Sequence, residues 1–352
     1  MKITANQITV ARILALPFPA WALIARPEQP WMWVAFVGGV VVGATDFVDG
    51  WLARRQGPTV LGSLLDPVAD KLFIAMLLLP LVAYGECPGW AAGALFVREL
   101  LITSLRTSMA VRKQALKTSQ LGKLKTVVQM GGIAAFYLAL FVKPVEWMPL
   151  VQLACAVTMV IGAAGVAIKR RGLPPAWLLG GAVLWMAIAL ASFWLEPLEA
   201  AFWIFMVMVA LTWVSGADYL WGAGRRILAS GLRVQDVTRV LWSLAHGVAL
   251  LPILDEHPAL VVPVMVSLCA ELSYGGVDNA VAAEQARFAR SSVLPSTVVA
   301  AAVGVCGWFG LVDAPTLWWM AWGLAGISLA TFGVAVVRER AVFFAPDRAI
   351  AA

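Results

Sequence analysis

Apolar residues along this chain come in long unbroken runs separated by short polar stretches, without the two-residue alternation of half-buried strands. A helix needs about 20 apolar residues to cross ~30 Å of hydrocarbon, and on that measure the chain holds about twelve candidate spans. They lie near residues 10–26, 32–53, 63–84, 88–110, 124–142, 147–168, 175–195, 199–222, 237–254, 258–282, 294–312 and 315–336. The pattern predicts an all-α, polytopic transmembrane bundle. Alternating the connections between two sides gathers most of the basic residues on one of them: Arg54 and Arg55, Arg112 to Lys125, Lys169 to Arg171, Arg225 to Arg239, Arg287 and Arg290, and the tail with Arg338, Arg340 and Arg348. The opposite loops, such as ECPG, EPLE, DEHP and DAP, carry only Arg26 and Lys143. Cytoplasmic loops are the basic ones, so the first side and both termini are expected in the cytoplasm, as in a protein of the bacterial inner membrane. The N-terminal apolar run lacks a small-residue cleavage site and reads as retained.

Composition supports the pattern. Of 352 residues 61% are hydrophobic and 13% charged, and the mean hydropathy of +0.85 lies outside the soluble range. Among 17 tryptophans, Trp31, Trp33, Trp147, Trp203, Trp318 and Trp319 sit near the ends of apolar runs, where headgroups meet helices. The net charge of +6 is accounted for by topology and by attraction to anionic membrane lipid, and no nucleic-acid partner is invoked. Cys87, Cys155, Cys269 and Cys306 are far apart, with no C-x-x-C spacing and only two histidines in the chain, which argues against a disulfide framework or a zinc site.

The second and third runs contain TDFVDGWLARRQGPTVLGSLLDPVADKL, which sets Asp46, Asp49, Asp66 and Asp70 in or beside membrane helices. An acid there costs a few kcal/mol or more unless paired or hydrated, which makes it a functional candidate. Spacings of i,i+3 and i,i+4 put each pair on one helix face, and consecutive antiparallel helices let the two faces meet. Four converging carboxylates repel one another and call for cations. Hard oxygen ligands select Mg²⁺ or Mn²⁺, and two such ions are a common clamp for phosphoryl chemistry. Gly50 and Ala53 leave space beside the acids for a bulky headgroup.

Written as D-x2-D-G-x2-A-R-x7-G-x3-D-x3-D, with Asp46, Asp49, Gly50, Ala53, Arg54, Gly62, Asp66 and Asp70 at the fixed positions, this string resembles the signature of the CDP-alcohol phosphatidyltransferases. The stretch between Arg54 and Gly62 is a residue shorter than the family's usual. The resemblance implies a transferase of phospholipid biosynthesis. It implies two divalent ions held by the four aspartates, Asp70 as general base, and Asp49, Gly50, Ala53, Arg54 and Gly62 beside the CDP moiety of CDP-diacylglycerol.

Further along, FVRELLITSLRTSMAV places Arg98, Glu99 and Arg106 on an apolar helix, the arginines about two turns apart and facing the same way. Glu99 is expected on another face, leaving Arg98 unneutralised. Lys123 and Lys125 follow in GKLKT. Arginines with nearby lysines suit a phosphate ligand. R-E-L-x5-L-R with G-K-x-K-T-x2-Q-M resembles the phosphatidylglycerophosphate synthase branch of the family. There these basic residues bind the phosphate of the acceptor, glycerol 3-phosphate. Asn6, Thr9 and Arg12 in N-x2-T-x2-R, and SGADYLWG at 215–222, agree with that branch and offer an N-terminal contribution and a closing helix. The resemblance covers residues 1–228, with two inserted helices at about 147–195.

Residues 229–352 carry none of these motifs, yet at an offset of 229 VDGWLARRQ (48–56) lies over VDNAVAAEQ (277–285). Positions matching Asp46, Asp66 and Asp70 are Gly275, Pro295 and Val299, so Asp278 is the one acid left, and its charge is expected to reach water. Such a region reads as a degenerate copy forming an internal pseudo-dimer. A homodimer stays open, as do a different acceptor such as inositol phosphate or a phospholipid, a cation transporter using the carboxylates, and a non-enzymatic scaffold.

Overall fold

The computed structural model describes residues 4–25, 29–57, 59–114, 120–141 and 145–343. Among them every regular element is helical: α1 (Ala5–Ala15), α2 (Pro17–Ala25), α3 (Gln29–Gln56), α4 (Val60–Ala83), α5 (Gly89–Val111), α6 (Gln120–Phe141), α7 (Met148–Arg170), α8 (Ala176–Ala191), α9 (Pro197–Ala229), α10 (Val234–Leu244), α11 (Val261–Gln285), α12 (Leu294–Phe309) and α13 (Ala314–Phe343). Beyond α10 the chain runs through a π-helical turn, Ala245–Leu250, and a 3₁₀ turn, Leu251–Asp255.

Helices cover each of the apolar runs, but seven rather than twelve are long and apolar enough to cross a membrane among the described residues: Ala5–Ala25, Pro30–Gln56, Met148–Arg170, Phe202–Ala229, Val234–Asp255, Pro258–Gln285 and Ala314–Phe343. Length removes α8 and α12, at 16 residues each. α4 and α5 fall outside the group although they have 24 and 23 residues, and they are the helices bearing Asp66, Asp70 and Lys71, and Arg98, Glu99 and Arg106.

The chain divides into two compact units, one of residues 1–116 with 219–352, the other of residues 117–218. The second unit holds α6, α7, α8 and most of α9 around Ala135, Ala156, Trp185, Ala189 and Ile204. Buried Gln152 donates to the Ala135 carbonyl at 2.9 Å, which satisfies an amide that would be costly in an apolar core. A Cβ at Gly131 would lie 2.6 Å from the Trp185 ring, so only glycine admits that indole.

In the first unit α11 is the central rod, packed against α4, α5 and α13. α4 begins at the Thr59 cap, whose Oγ1 accepts from the Gly62 N–H at 2.9 Å. Pro67 inside it lacks the N–H that would bond the Ser63 carbonyl, which loosens the helix beside Asp66. Gly39 and Gly43 of α3 receive Leu77 and Phe73 of α4. At the start of α13, Asp313 accepts from the Thr316 N–H at 3.2 Å, and bonding to Thr316 holds its carboxyl below the usual range.

Buried acids of the C-terminal region have basic partners. Asp278 is 2% exposed and does not reach water: Arg239 Nε and Nη2 donate to it at 2.8 and 2.6 Å, and the Ala289 N–H at 2.8 Å. The expectation of a solvated acid fails because α10 delivers a guanidinium to it. Buried Glu271 accepts from Trp242 Nε1 at 2.7 Å, with His246 Nε2 3.9 Å from its other oxygen. The four cysteines are free thiols, and burial pushes that of Cys87, in the α4–α5 loop, upward.

Candidate active site

Three helices build the site. α1 starts with a capping box in which Gln7 and Thr4 satisfy each other's backbone N–H groups, and it is fastened to the α3–α4 turn by Ala5 N–H donating to Gln56 Oε1 (3.0 Å) and Asn6 Nδ2 to Thr59 Oγ1 (3.1 Å). A Cβ on Gly62 would stand 2.9 Å from both Asn6 Oδ1 and Thr59 Oγ1, so this motif glycine is required by the clasp itself. The i,i+3 spacing of Thr9 and Arg12 then turns both toward α3 and α4.

All four aspartates gather round these two residues. Thr9 Oγ1 lies 3.0 Å from Asp49 Oδ2 and 3.3 Å from Asp66 Oδ1. Arg12 Nη1 is 2.5 Å from Asp46 Oδ1 and 3.6 Å from Asp70 Oδ1, and Nη2 is 3.2 Å from Asp49 Oδ2. Asp49 is buried, Asp46 and Asp70 half-buried and Asp66 exposed, so the acidic face opens toward Asp66. One guanidinium offsets one of the four carboxylate charges and leaves a strongly negative oxygen-only pocket, a donor set suited to hard divalent cations. Among the described residues, however, no three acids, histidines or cysteines converge at ligand spacing, because Arg12 stands between them.

The predicted CDP-side residues lie along the same face of the turn. Space at Gly50 is open apart from Arg54 Nη1, 3.5 Å from where a Cβ would sit. Ala53 is half-buried and Arg54 exposed, while Arg55 stacks over Trp51 with its guanidinium 3.8 Å from the ring centre. Lys71, next to Asp70, donates to Thr103 Oγ1 of α5. Sequence reasoning passed over this lysine.

The acceptor-side residues do not stay together as expected. Arg98 is buried and donates through Nη1 to Glu99 Oε1 at 3.1 Å, so Glu99 does neutralise it. Arg106 is exposed, with its guanidinium 5.6 Å from the Tyr219 ring centre, and Tyr219 belongs to the SGADYLWG stretch on α9. Lys123 and Lys125 are on α6 in the other unit, and their side chains lie outside the described residues.

The sequence model of the CDP-alcohol phosphatidyltransferase family matches residues 2–168 of this chain. A protein of Cereibacter sphaeroides named CDP-diacylglycerol--glycerol-3-phosphate 3-phosphatidyltransferase is 33% identical over 138 residues, 38% of this chain and 62% of that relative. Proteins of the same name are 32% identical in Bacillus subtilis, covering 38% of this chain and 75% of the relative, and 36% identical in Yersinia pestis, covering 36% and 71%. The chain thus spans under two thirds of the first of these relatives and more of the other two. No solved structure matches.

Proposed function

The chain belongs to the CDP-alcohol phosphatidyltransferase family, and from that premise we propose that it transfers the phosphatidyl group of CDP-diacylglycerol to glycerol 3-phosphate, releasing CMP and leaving phosphatidylglycerophosphate. The observation that carries this reading is the gathering of Asp46, Asp49, Asp66 and Asp70 around Thr9 and Arg12, at the end of α3 and the start of α4. Relatives bearing that activity in their names, and the basic side chain at Arg106, favour glycerol 3-phosphate over an uncharged alcohol.

Asp70 takes the proton of the acceptor hydroxyl. The freed oxygen attacks the β-phosphorus of CDP-diacylglycerol, a P–O bond forms to the acceptor, and the P–O bond to CMP breaks. The open space at Gly50 admits the cytidylyl group, and exposed Arg54 faces its phosphates. Arg106 holds the acceptor phosphate, so that its hydroxyl arrives pointing at Asp70. The family is generally dependent on divalent metal, and the four carboxylates are the residues here that would hold two Mg²⁺ or Mn²⁺ ions. When bound, such ions supply positive charge to the pyrophosphate oxygens. Arg54 and Arg55, at the junction of α3 and α4, support a site on the cytoplasmic face of the membrane.

The test is CMP release by the purified full chain, with CDP-diacylglycerol, Mg²⁺ or Mn²⁺, and a panel of glycerol 3-phosphate, serine, inositol phosphate and glycerol. Release with glycerol 3-phosphate alone is expected. Release with another acceptor alone reassigns the branch, and no release with any acceptor overturns the reading.

A further inference from the structure

We propose that α10 and α11 are a catalytically silent internal copy of α1 to α3, and that α11, through Gly276, positions the catalytic helix α4 and with it Asp66 and Asp70. The role in positioning rests on the function proposed above.

The copy is legible in the boundaries. One offset, 229, carries Ala5–Ala15 of α1 onto Val234–Leu244 of α10, and the C-terminal Gln56 of α3 onto the C-terminal Gln285 of α11. The residues before α1 and α10, Thr4 and Arg233, have nearly the same backbone angles (φ −100°, ψ 154° and φ −100°, ψ 153°). Each backbone N–H donates at 2.9 Å to the side chain three residues on, Gln7 or Asp236. Just past α3 and α11 the same offset joins Gly57 (φ 91°) to Ala286 (φ 52°), both left-handed, a geometry that an alanine adopts only at a cost. Helices of similar composition share apolar residues by chance. Sharing an N-cap, three helix boundaries and a left-handed residue at one offset is a much narrower coincidence.

The same register explains the silence. Asp278 takes the place of Asp49, and Arg239 meets it as Arg12 meets Asp49, although from two residues earlier in the helix register. Thr238, in the place of Thr9, turns to the Gln235 carbonyl instead of the acid. The loop before α12 (residues 286–293) is longer than the turn before α4, so counted from the helix starts the α12 positions matching Asp66 and Asp70 are Ala300 and Gly304 rather than Pro295 and Val299. Neither carries a carboxylate. What remains is one acid sealed in an ion pair.

The copy nevertheless touches the chemistry from behind. On α4, Leu64 and Val68 form a stripe opposite the face of Asp66 and Asp70. A Cβ on Gly276 of α11 would overlap the Val68 methyl and come within 3.0 Å of Leu64 Cδ1. Its neighbour Gly275 is less tightly placed, a Cβ there falling 3.1 Å from Thr103 of α5 and 3.2 Å from Trp242 of α10. A single methyl at Gly276 therefore pushes α4 at the residue midway between its two catalytic acids.

The experiment is a double-mutant cycle of Gly276→Ala and Val68→Ala in the full chain, read as CMP release and as Mn²⁺ affinity. Gly276→Ala is expected to lower kcat about ten- to a hundredfold, with both KM values little changed and Mn²⁺ bound more weakly. Val68→Ala in the same chain should restore most of both. Unchanged kcat and Mn²⁺ affinity in Gly276→Ala overturn the proposal, as does a loss that Val68→Ala does not relieve. A wild type inactive with every acceptor defeats the function instead, and the Mn²⁺ arm still decides on positioning. For the silence of the copy, Arg239→Met combined with Asp278→Leu removes the ion pair without burying a lone charge and should leave kcat within about twofold. A tenfold loss of rate in a folded protein would give the copy a chemical role.

Discussion

The guanidinium of Arg12 stands between Asp46 and Asp70, 2.5 and 3.6 Å from their carboxylates, on a side chain 2% exposed. It holds the acids together while competing with any other cation for them. Arg12→Met should destabilise the metal-free protein and tighten Mn²⁺ binding by roughly tenfold, about 1.4 kcal/mol. Paramagnetic titration and thermal unfolding with and without Mn²⁺ measure this. An unaltered or weakened Mn²⁺ affinity would show that Arg12 and metal do not share the space.

Asp66→Asn and Asp70→Asn each remove a charge from the face where bond exchange is proposed. A loss of about 3 kcal/mol of transition-state stabilisation is over a hundredfold in rate. Both variants should keep their helical circular dichroism while CMP release falls by at least that factor. More than a tenth of wild-type rate in Asp70→Asn would remove the residue from the role of base.

Arg98 and Arg106 should separate. Arg106→Ala is expected to raise KM for glycerol 3-phosphate far more than that for CDP-diacylglycerol, through loss of a charge-assisted bond. Arg98→Ala breaks a buried ion pair by removing one partner and should instead lower thermal stability by about 3–5 kcal/mol. Equal effects of Arg106→Ala on the two substrates would assign it to structure.

Asp278→Asn is expected to cost about 3–5 kcal/mol, because Arg239 is left buried against a neutral amide. Unfolding in detergent reads this directly. A cost below about 1 kcal/mol would mean that water reaches the pair.

How much of this was legible in the sequence differs from residue to residue. The spacing of the four aspartates carries helix periodicity in itself, so their convergence could be foreseen. Adjacent residues on a helix diverge by about 100°, so the rule that neighbours do not face each other set Glu99 apart from Arg98. Long side chains curl back across that angle, which periodicity does not record. Arg12 was visible as part of N-x2-T-x2-R, but its place at the centre depends on the Asn6–Thr59 clasp, a contact between segments 53 residues apart. The count of twelve spans is not confirmed where a run is apolar but short, as in α8 and α12, and where charges interrupt a helix, as in α4 and α5. Asp278 is visible in the sequence as a lone acid, but its partner Arg239 is not, since it does not lie at the offset of Arg12.

The packing of α11 on α4 and α5 also imposes an order in time. Asp70 leaves the ribosome more than 200 residues before Gln285 does, which at roughly 5–20 residues per second is about 10–40 s. Through that interval the back of the acidic face of α4 is uncovered by α11, and Leu64 and Val68 have no Gly276 to lie against. The unit bearing the carboxylates is therefore completed only as the last helices of the described chain are made, so a chain arrested in α9 would carry all four acids with α4 held by α1, α2, α3 and α5 but not by α11.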